Sequence, residues 1–241
     1  MRCLIRPLVI LALVGIAAYV FLRPAPKPHH PKAADSASSP FVAGEKIVFA
    51  VKMGPIKMGT STLTYVGKSN LEGREAEEII FETTGFNFYD RERILAEPET
   101  FYPIRVERTV NIWGKKMQIT EEYSENSWRL NKKEGGKVTQ QTFNNTGRVQ
   151  NFISVVYFYR RIAELRAGSE WNFNFIAPVK MRLKGIVDFP LADKIYKAYY
   201  LESVPVKYQV WLDSNEKRLP LRIDGSLAGF SSLALIMREH N

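Results

Sequence analysis

The side chains best equipped for chemistry in this sequence are carboxylates, and they come in pairs: Glu77-Glu78, Asp90 with Glu92, Glu97 with Glu99, and Glu121-Glu122. Two carboxyl groups facing one cleft, one protonated and one ionised, are the working parts of glycoside hydrolysis. Positions i and i+2 of a strand share a face. A strand over residue 90 therefore sets Asp90 beside Glu92, with Arg91 and Arg93 on the opposite face. The plainer reading of the same pattern is a solvated, partly self-paired charged face. Other catalytic chemistries lack their residues. The histidines are His29, His30 and His240, and the cysteine is Cys3. No histidine falls between residues 31 and 239 to activate a serine or cysteine, and no ligand set exists there for zinc. Glu134-Gly135-Gly136 reads as a turn, without the strand–loop–helix context of a phosphate loop. The expectation is no catalytic residue, no metal and no cofactor.

Aromatic residues are the second resource. Trp113, Trp128, Trp171 and Trp211 are spread among many phenylalanines and tyrosines. Such residues either fill a β core or line a pocket for an apolar ligand.

From Phe41 onward the apolar pattern has period two. Fourteen runs rich in β-branched and aromatic residues follow one another, from Ile47–Val51 to Leu233–Glu239. Turn residues punctuate them, as at 113–116, 134–136 and 213–216. This predicts a mainly β domain: a large antiparallel curved sheet or incompletely closed barrel. One segment departs from it. Phe152, Val155, Val156, Tyr159, Ile162 and Ala163 form a helical stripe, so one long helix is expected over about 151–166. Asn151 is its N-cap, Arg160, Arg161 and Arg166 enrich its second half, and Gly168 closes it. Pro220 fits an edge strand or a bulge.

The N-terminus has another character. Residues 1–22 carry a sixteen-residue apolar run from Pro7 to Leu22 behind Arg2 and Arg6. That is a signal peptide or, with Leu4 and Ile5, a membrane anchor over residues 4–22; the distance to a small-residue cleavage motif near 32–38 favours the anchor. Cys3 precedes the run and is an incidental thiol. Residues 23–40 are a Pro/Ser/Ala-rich linker, and residues 41–241 are the β domain. The net charge is +9, of which the acid-free stretch 1–32 supplies +5. The domain is thus close to balanced, which argues against nucleic-acid binding.

The chain resembles the bacterial envelope family known as domain of unknown function 3108. The likeness rests on Phe41-Val-Ala-Gly-Glu-Lys, Val51-Lys-Met-Gly-Pro-Ile-Lys-Met-Gly-Thr, Glu99-Thr-Phe-Tyr-Pro-Ile-Arg, the helix Val149-Gln-Asn-Phe-Ile-Ser-Val-Val-Tyr-Phe-Tyr-Arg, and Val210-Trp-Leu-Asp through Arg218-Leu-Pro-Leu-Arg-Ile. An aspartate is common in that family where this chain has Asn151. The last motif is also similar to a hairpin of periplasmic lipoprotein carriers, which are half-open barrels holding an apolar cavity under helices. These resemblances imply a periplasmic location in a Gram-negative envelope, anchored by the N-terminal helix or released after cleavage. The family has no settled activity; a half-open sheet rich in aromatic residues with a helix laid across it leads to the expectation of a non-catalytic protein binding a lipid, lipoprotein or other amphipathic molecule between helix and concave sheet. Phe152, Val156, Tyr159, Arg160 and Trp211 are the expected ligand-lining residues. Tyr157, Arg160, Arg161 and Arg166 either meet an anionic headgroup or form a solvated basic face. The alternatives are a scaffold for envelope protein partners and a carbohydrate-active enzyme using paired carboxylates.

Overall fold

A computed structural model describes residues 40–145, 147–162, 164–175, 177–227 and 230–241. The expected leader 1–22, and the linker up to residue 39, lie outside them. Among the described residues no helix is long and apolar enough to cross a membrane.

All fourteen expected strands are present. They are β1 (Lys46–Met53), β2 (Ile56–Leu71), β3 (Arg74–Gly85), β4 (Phe88–Ala96), β5 (Pro103–Ile112), β6 (Lys115–Tyr123) and β7 (Ser127–Glu134). After β8 (Lys137–Asn144) comes α1 (Phe152–Arg161), then β9 (Glu170–Asn174), β10 (Pro178–Leu191), β11 (Lys194–Val204), β12 (Gln209–Asp213), β13 (Pro220–Leu227) and β14 (Phe230–His240). They make one open antiparallel sheet in the order β8-β7-β6-β5-β4-β3-β2-β1-β14-β13-β12-β11-β10-β9. Hairpins wind outward from β1 to one edge. The helical segment carries the chain across to the other edge, and hairpins wind back until β14 pairs with β1.

Alternation selects the covered face. Ile47, Phe49 and Val51 of β1, Leu63 and Tyr65 of β2, Ile79 of β3, Ile94 of β4, Leu183 of β10, Leu201 of β11, Val210 and Leu212 of β12 and Ile223 of β13 are all buried in one cluster with α1. Two hydrogen bonds show how far the sheet curls. The Gln150 N–H donates to the carbonyl of Asn174 at the end of β9, at 2.6 Å, and Asn151 Nδ2 donates to Glu92 Oε1 on β4, also at 2.6 Å. Eight strands separate β4 from β9 in the sheet, so two adjacent residues of the chain reach both sides of the trough. Strands β5–β8 extend beyond that closure.

The helix is shorter than its apolar stripe predicts. Its start is as expected: Asn151 Oδ1 accepts from the N–H groups of Ile153 and Ser154. Its end is at Arg161, and Ile162 already has extended geometry (φ −55, ψ 128). The terminal carbonyls of Tyr159 and Ile162 accept from Arg218 Nη1, so a distant arginine takes the role expected of Gly168. His240 lies in β14 opposite Ile47, with Nε2 3.2 Å from Glu45 Oε1. Pro220 sits at an irregularity in the β12–β13 pairing, opposite Leu212. Because Asn151 both caps α1 and holds β4, Asn151→Ala is expected to lower stability by about 1–2 kcal/mol, read from urea unfolding.

Candidate functional site

The space between α1 and the sheet is filled. Val156, Tyr157, Tyr159 and Arg160 are at most 1% exposed. The Tyr157 ring meets Phe41 edge-on at 5.1 Å and stacks with Phe101 at 5.9 Å. Tyr159 meets Trp171 at 5.2 Å and Phe173 at 5.7 Å. Phe152, half-buried, packs on Tyr208 at 4.9 Å and Phe175 at 5.7 Å. Arg160 Nη2 donates to both carboxylate oxygens of Glu45, at 2.7 and 3.0 Å, and its Nε donates to the Lys217 carbonyl. Arg161 is held by the Pro98 carbonyl and by Glu77, and Arg166 pairs with Glu164 on the surface. These arginines are thus neither a uniformly solvated face nor grouped for a headgroup. Phe152, Val156, Tyr159 and Arg160 are core and latch residues. An arginine placed at Val156 would bury an unpaired charge and report on folding, not on ligand uptake.

Trp211 is separated from the other four. It alternates with the buried Val210 and Leu212, so it lies on the opposite sheet face. There it stacks on Tyr200 at 4.9 Å, lies 5.7 Å from Phe189, and has the Arg222 guanidinium 5.3 Å from its ring.

A different set of side chains converges on the trough face of β4–β8, beyond the N-terminus of α1. Asp90 and Glu92 stand side by side as expected, on the face that carries Ile94. Cross-strand pairing sets Arg108 of β5 directly beside Glu92, and Ile119 of β6 beside Arg108. Arg108 clasps Asp90 through both Nε and Nη2, the former at 2.7 Å. Two residues from Ile119 on the same face is Glu121, whose Oε2 accepts from the hydroxyl of Tyr123. Tyr123, Trp128 of β7 and Phe143 of β8 are register neighbours. Their rings stack in a row, Tyr123 to Trp128 at 6.1 Å and Trp128 to Phe143 at 4.3 Å, both within 13° of parallel. All three are half-buried.

The electrostatics of this patch are unusual. Burial, reinforced by the negative charge of Glu121 and Asp90, pushes the Glu92 carboxyl up to about 7, against the lowering pull of Arg108 and the Asn151 amide. Burial also raises Glu121, with Tyr123 and Arg108 pulling it down. At neutral pH the patch therefore offers hydrogen-bond donors and acceptors with much of its charge compensated: a guanidinium, an ion-paired carboxylate and a carboxyl that can hold its proton. Among the described residues no group of three histidine, cysteine, aspartate or glutamate side chains is placed to hold a metal ion.

Asn151 shows why an amide suits this chain. Its Oδ1 caps α1 while its Nδ2 donates to Glu92. An aspartate would cap equally well but set a second carboxylate against Glu92.

No family model, no curated protein and no solved structure matches the chain. The resemblance to the family of unknown function therefore rests on its quoted motifs alone. Sequence reasoning placed Asp90 and Glu92 on one face, and missed Arg108, Glu121, Tyr123, Trp128 and Phe143 as their companions. The signal for those five is strand register, which no local pattern displays.

Proposed function

We propose that this chain is a non-catalytic envelope protein that binds an amphipathic molecule on the open trough face of β4–β8. The observation that supports this best is the stacked row Tyr123–Trp128–Phe143 beside a half-buried, charge-compensated cluster, on the part of the trough beyond the filled helix–sheet interface. Aromatic faces take up an apolar chain or the C–H face of a sugar. Arg108, Glu92 and Glu121 supply both donors and acceptors for a hydroxyl-rich head. A periplasmic location and an inner-membrane anchor over residues 4–22 remain part of the proposal, supported by the leader sequence.

The test is titration of the full chain with a dansyl-tagged alkyl glucoside. Saturable binding is expected. Trp128→Ala is expected to weaken it about tenfold by removing the central ring of the stack, while Trp211→Ala, on the other face, leaves it unchanged. Equal affinity of Trp128→Ala and the wild type would place the ligand elsewhere.

A second reading draws on the same cluster. A carboxyl pushed up to about 7 beside an ion-paired carboxylate is also an acid-and-base arrangement for glycoside chemistry. Recovery of intact glucoside after prolonged incubation supports binding alone; release of glucose that Glu92→Gln abolishes supports the enzyme.

A further inference from the structure

The two ends of this sheet differ in chemistry. Because consecutive strands are antiparallel neighbours, every hairpin lies on one of two rims. One rim holds the turns after β2, β4, β6, β10 and β12, and these are mostly polar, with Glu72, Glu99, Glu125, Asp193 and Glu216 exposed and the exposed apolar residues Val42 and Ile195 set apart from one another. The other rim holds the turns after β1, β3, β5, β7, β9, β11 and β13, and several of these are apolar. Phe86 at the β3–β4 tip and Trp113 at the β5–β6 tip are 83% and 70% exposed, with their rings in edge contact at 5.7 Å. The Trp113 N–H donates to the Asn87 carbonyl at 2.9 Å, tying the two tips together. Met53, Ile56 and Met58 are exposed at or near the β1–β2 tip, and Val204 and Val206 at the β11–β12 turn. Single exposed apolar residues are ordinary, whereas a run of them along one rim marks a contact surface.

The same rim is basic. Lys57, Lys115, Lys116, Lys137 and Lys207 are exposed on it. Lys52 and Lys57 face each other directly across β1 and β2, a like-charge pair that is unfavourable in water. Among the described residues of these turns the one acid is Glu134, which is ion-paired with Lys132 at 2.6 Å. Between the β3–β4 and β5–β6 tips lies an open hollow of about 370 Å³, lined by Gly85, Asn87, Phe88, Tyr89, Asn111 and Gly114. Asn111 Oδ1 is buried there without a hydrogen-bond partner in the chain.

We propose that this rim docks on an anionic lipid bilayer. Phe86, Trp113 and Ile56 enter the interfacial layer, where amphipathic aromatic and aliphatic tips are most favourable. The lysines sit at headgroup level and gain from the negative surface potential. The anionic surface also relieves the Lys52–Lys57 opposition. The hollow beside Asn111 accepts a headgroup hydroxyl or ammonium donor. A bilayer satisfies apolar tips and cations together. This inference is independent of the trough-face ligand.

The full chain is reconstituted with vesicles of phosphatidylcholine and phosphatidylglycerol in a ratio of about seven to three, doped with a phospholipid bearing a diazirine in its acyl chain. After irradiation, labelled peptides are mapped by mass spectrometry. The readout is positional, so attachment through residues 1–22 does not count for the rim. Labelling is expected at 53–58, 85–88 and 112–116. It should fall about tenfold at 53–58 in Phe86→Ser/Trp113→Ser, since a buried aromatic tip is worth at least that factor. It should fall similarly when phosphatidylcholine replaces the anionic lipid. Lys57→Glu/Lys115→Glu is a second variant that leaves the apolar tips intact and is expected to lose the preference for anionic vesicles. Labelling at the tips no greater than at the opposite turns 72–75 and 97–100 overturns the proposal, as does capture of the tips by a second copy of the chain instead of lipid.

Discussion

Glu45→Gln is expected to destabilise the domain by about 3–5 kcal/mol, the usual cost of stranding one partner of a buried ion pair. The Arg160 and Glu45 side chains are 0% and 3% exposed, with both carboxylate oxygens engaged. The pair joins the last turn of α1 to the residue before β1, and the Glu45 carboxylate also meets His240 at the end of β14. Arg160 further anchors the β12–β13 turn through the Lys217 carbonyl. Removing the carboxylate leaves a guanidinium in the core beside the rings of Phe41 and Tyr157, which do not replace a counter-charge. A domain of this kind holds about 5–15 kcal/mol in total, so the single variant approaches its limit. Replacing both residues with leucine is expected to recover most of the loss, because well-packed apolar groups avoid the desolvation the ions suffer. Urea midpoints of the two variants and the wild type decide this. A loss below about 1 kcal/mol for Glu45→Gln would mean the pair is hydrated and does not latch the helix.

The second large effect is pH-dependent. The folded Glu92 carboxyl titrates near 7, against 4.5 for an ordinary glutamate. Between those values the folded chain keeps a proton that the unfolded chain has released, so stability falls as pH rises through the window. The fall is bounded at about 3 kcal/mol for a shift of this size, and contact of part of the side chain with solvent trims it. Glu121 is shifted in the same direction and adds to the slope. Glu92→Gln keeps the shape and removes that titrating proton, so its stability should fall much less steeply than the wild type's from pH 5 to 7.5, with the burial of Glu121 supplying the slope that is left. A wild-type stability that instead rises across that range would contradict the buried, protonated carboxyl.

The strands were legible because their signal is local. Ile47, Phe49 and Val51 alternate with solvent-facing neighbours, and Trp113-Gly114 or Asp213-Ser-Asn-Glu216 can only turn. The start of α1 was legible for the same reason, through Asn151. Its end was not, since Arg218, more than fifty positions away, satisfies carbonyls that a longer helix would have used. Arg160 read as a surface cation because its partner Glu45 is 115 positions distant. The aromatic count did not say which rings fill the trough and which line it. Tyr157 and Tyr159 fill it, Trp211 is outside it, and Trp128 stands in its open part only because β6, β7 and β8 pair in the register that aligns it with Tyr123 and Phe143.

Native mass spectrometry of the full chain, purified gently from the membranes of expressing cells, tests the trough-face binding claim most directly. The account predicts a bound species of defined mass, an amphipathic molecule recovered by solvent extraction, that is retained in Trp211→Ala and lost in Trp128→Ala. A clean apo mass under conditions that preserve other lipid complexes, or a bound mass indifferent to Trp128, would contradict it and turn attention to protein partners at the sheet edges β8 and β9.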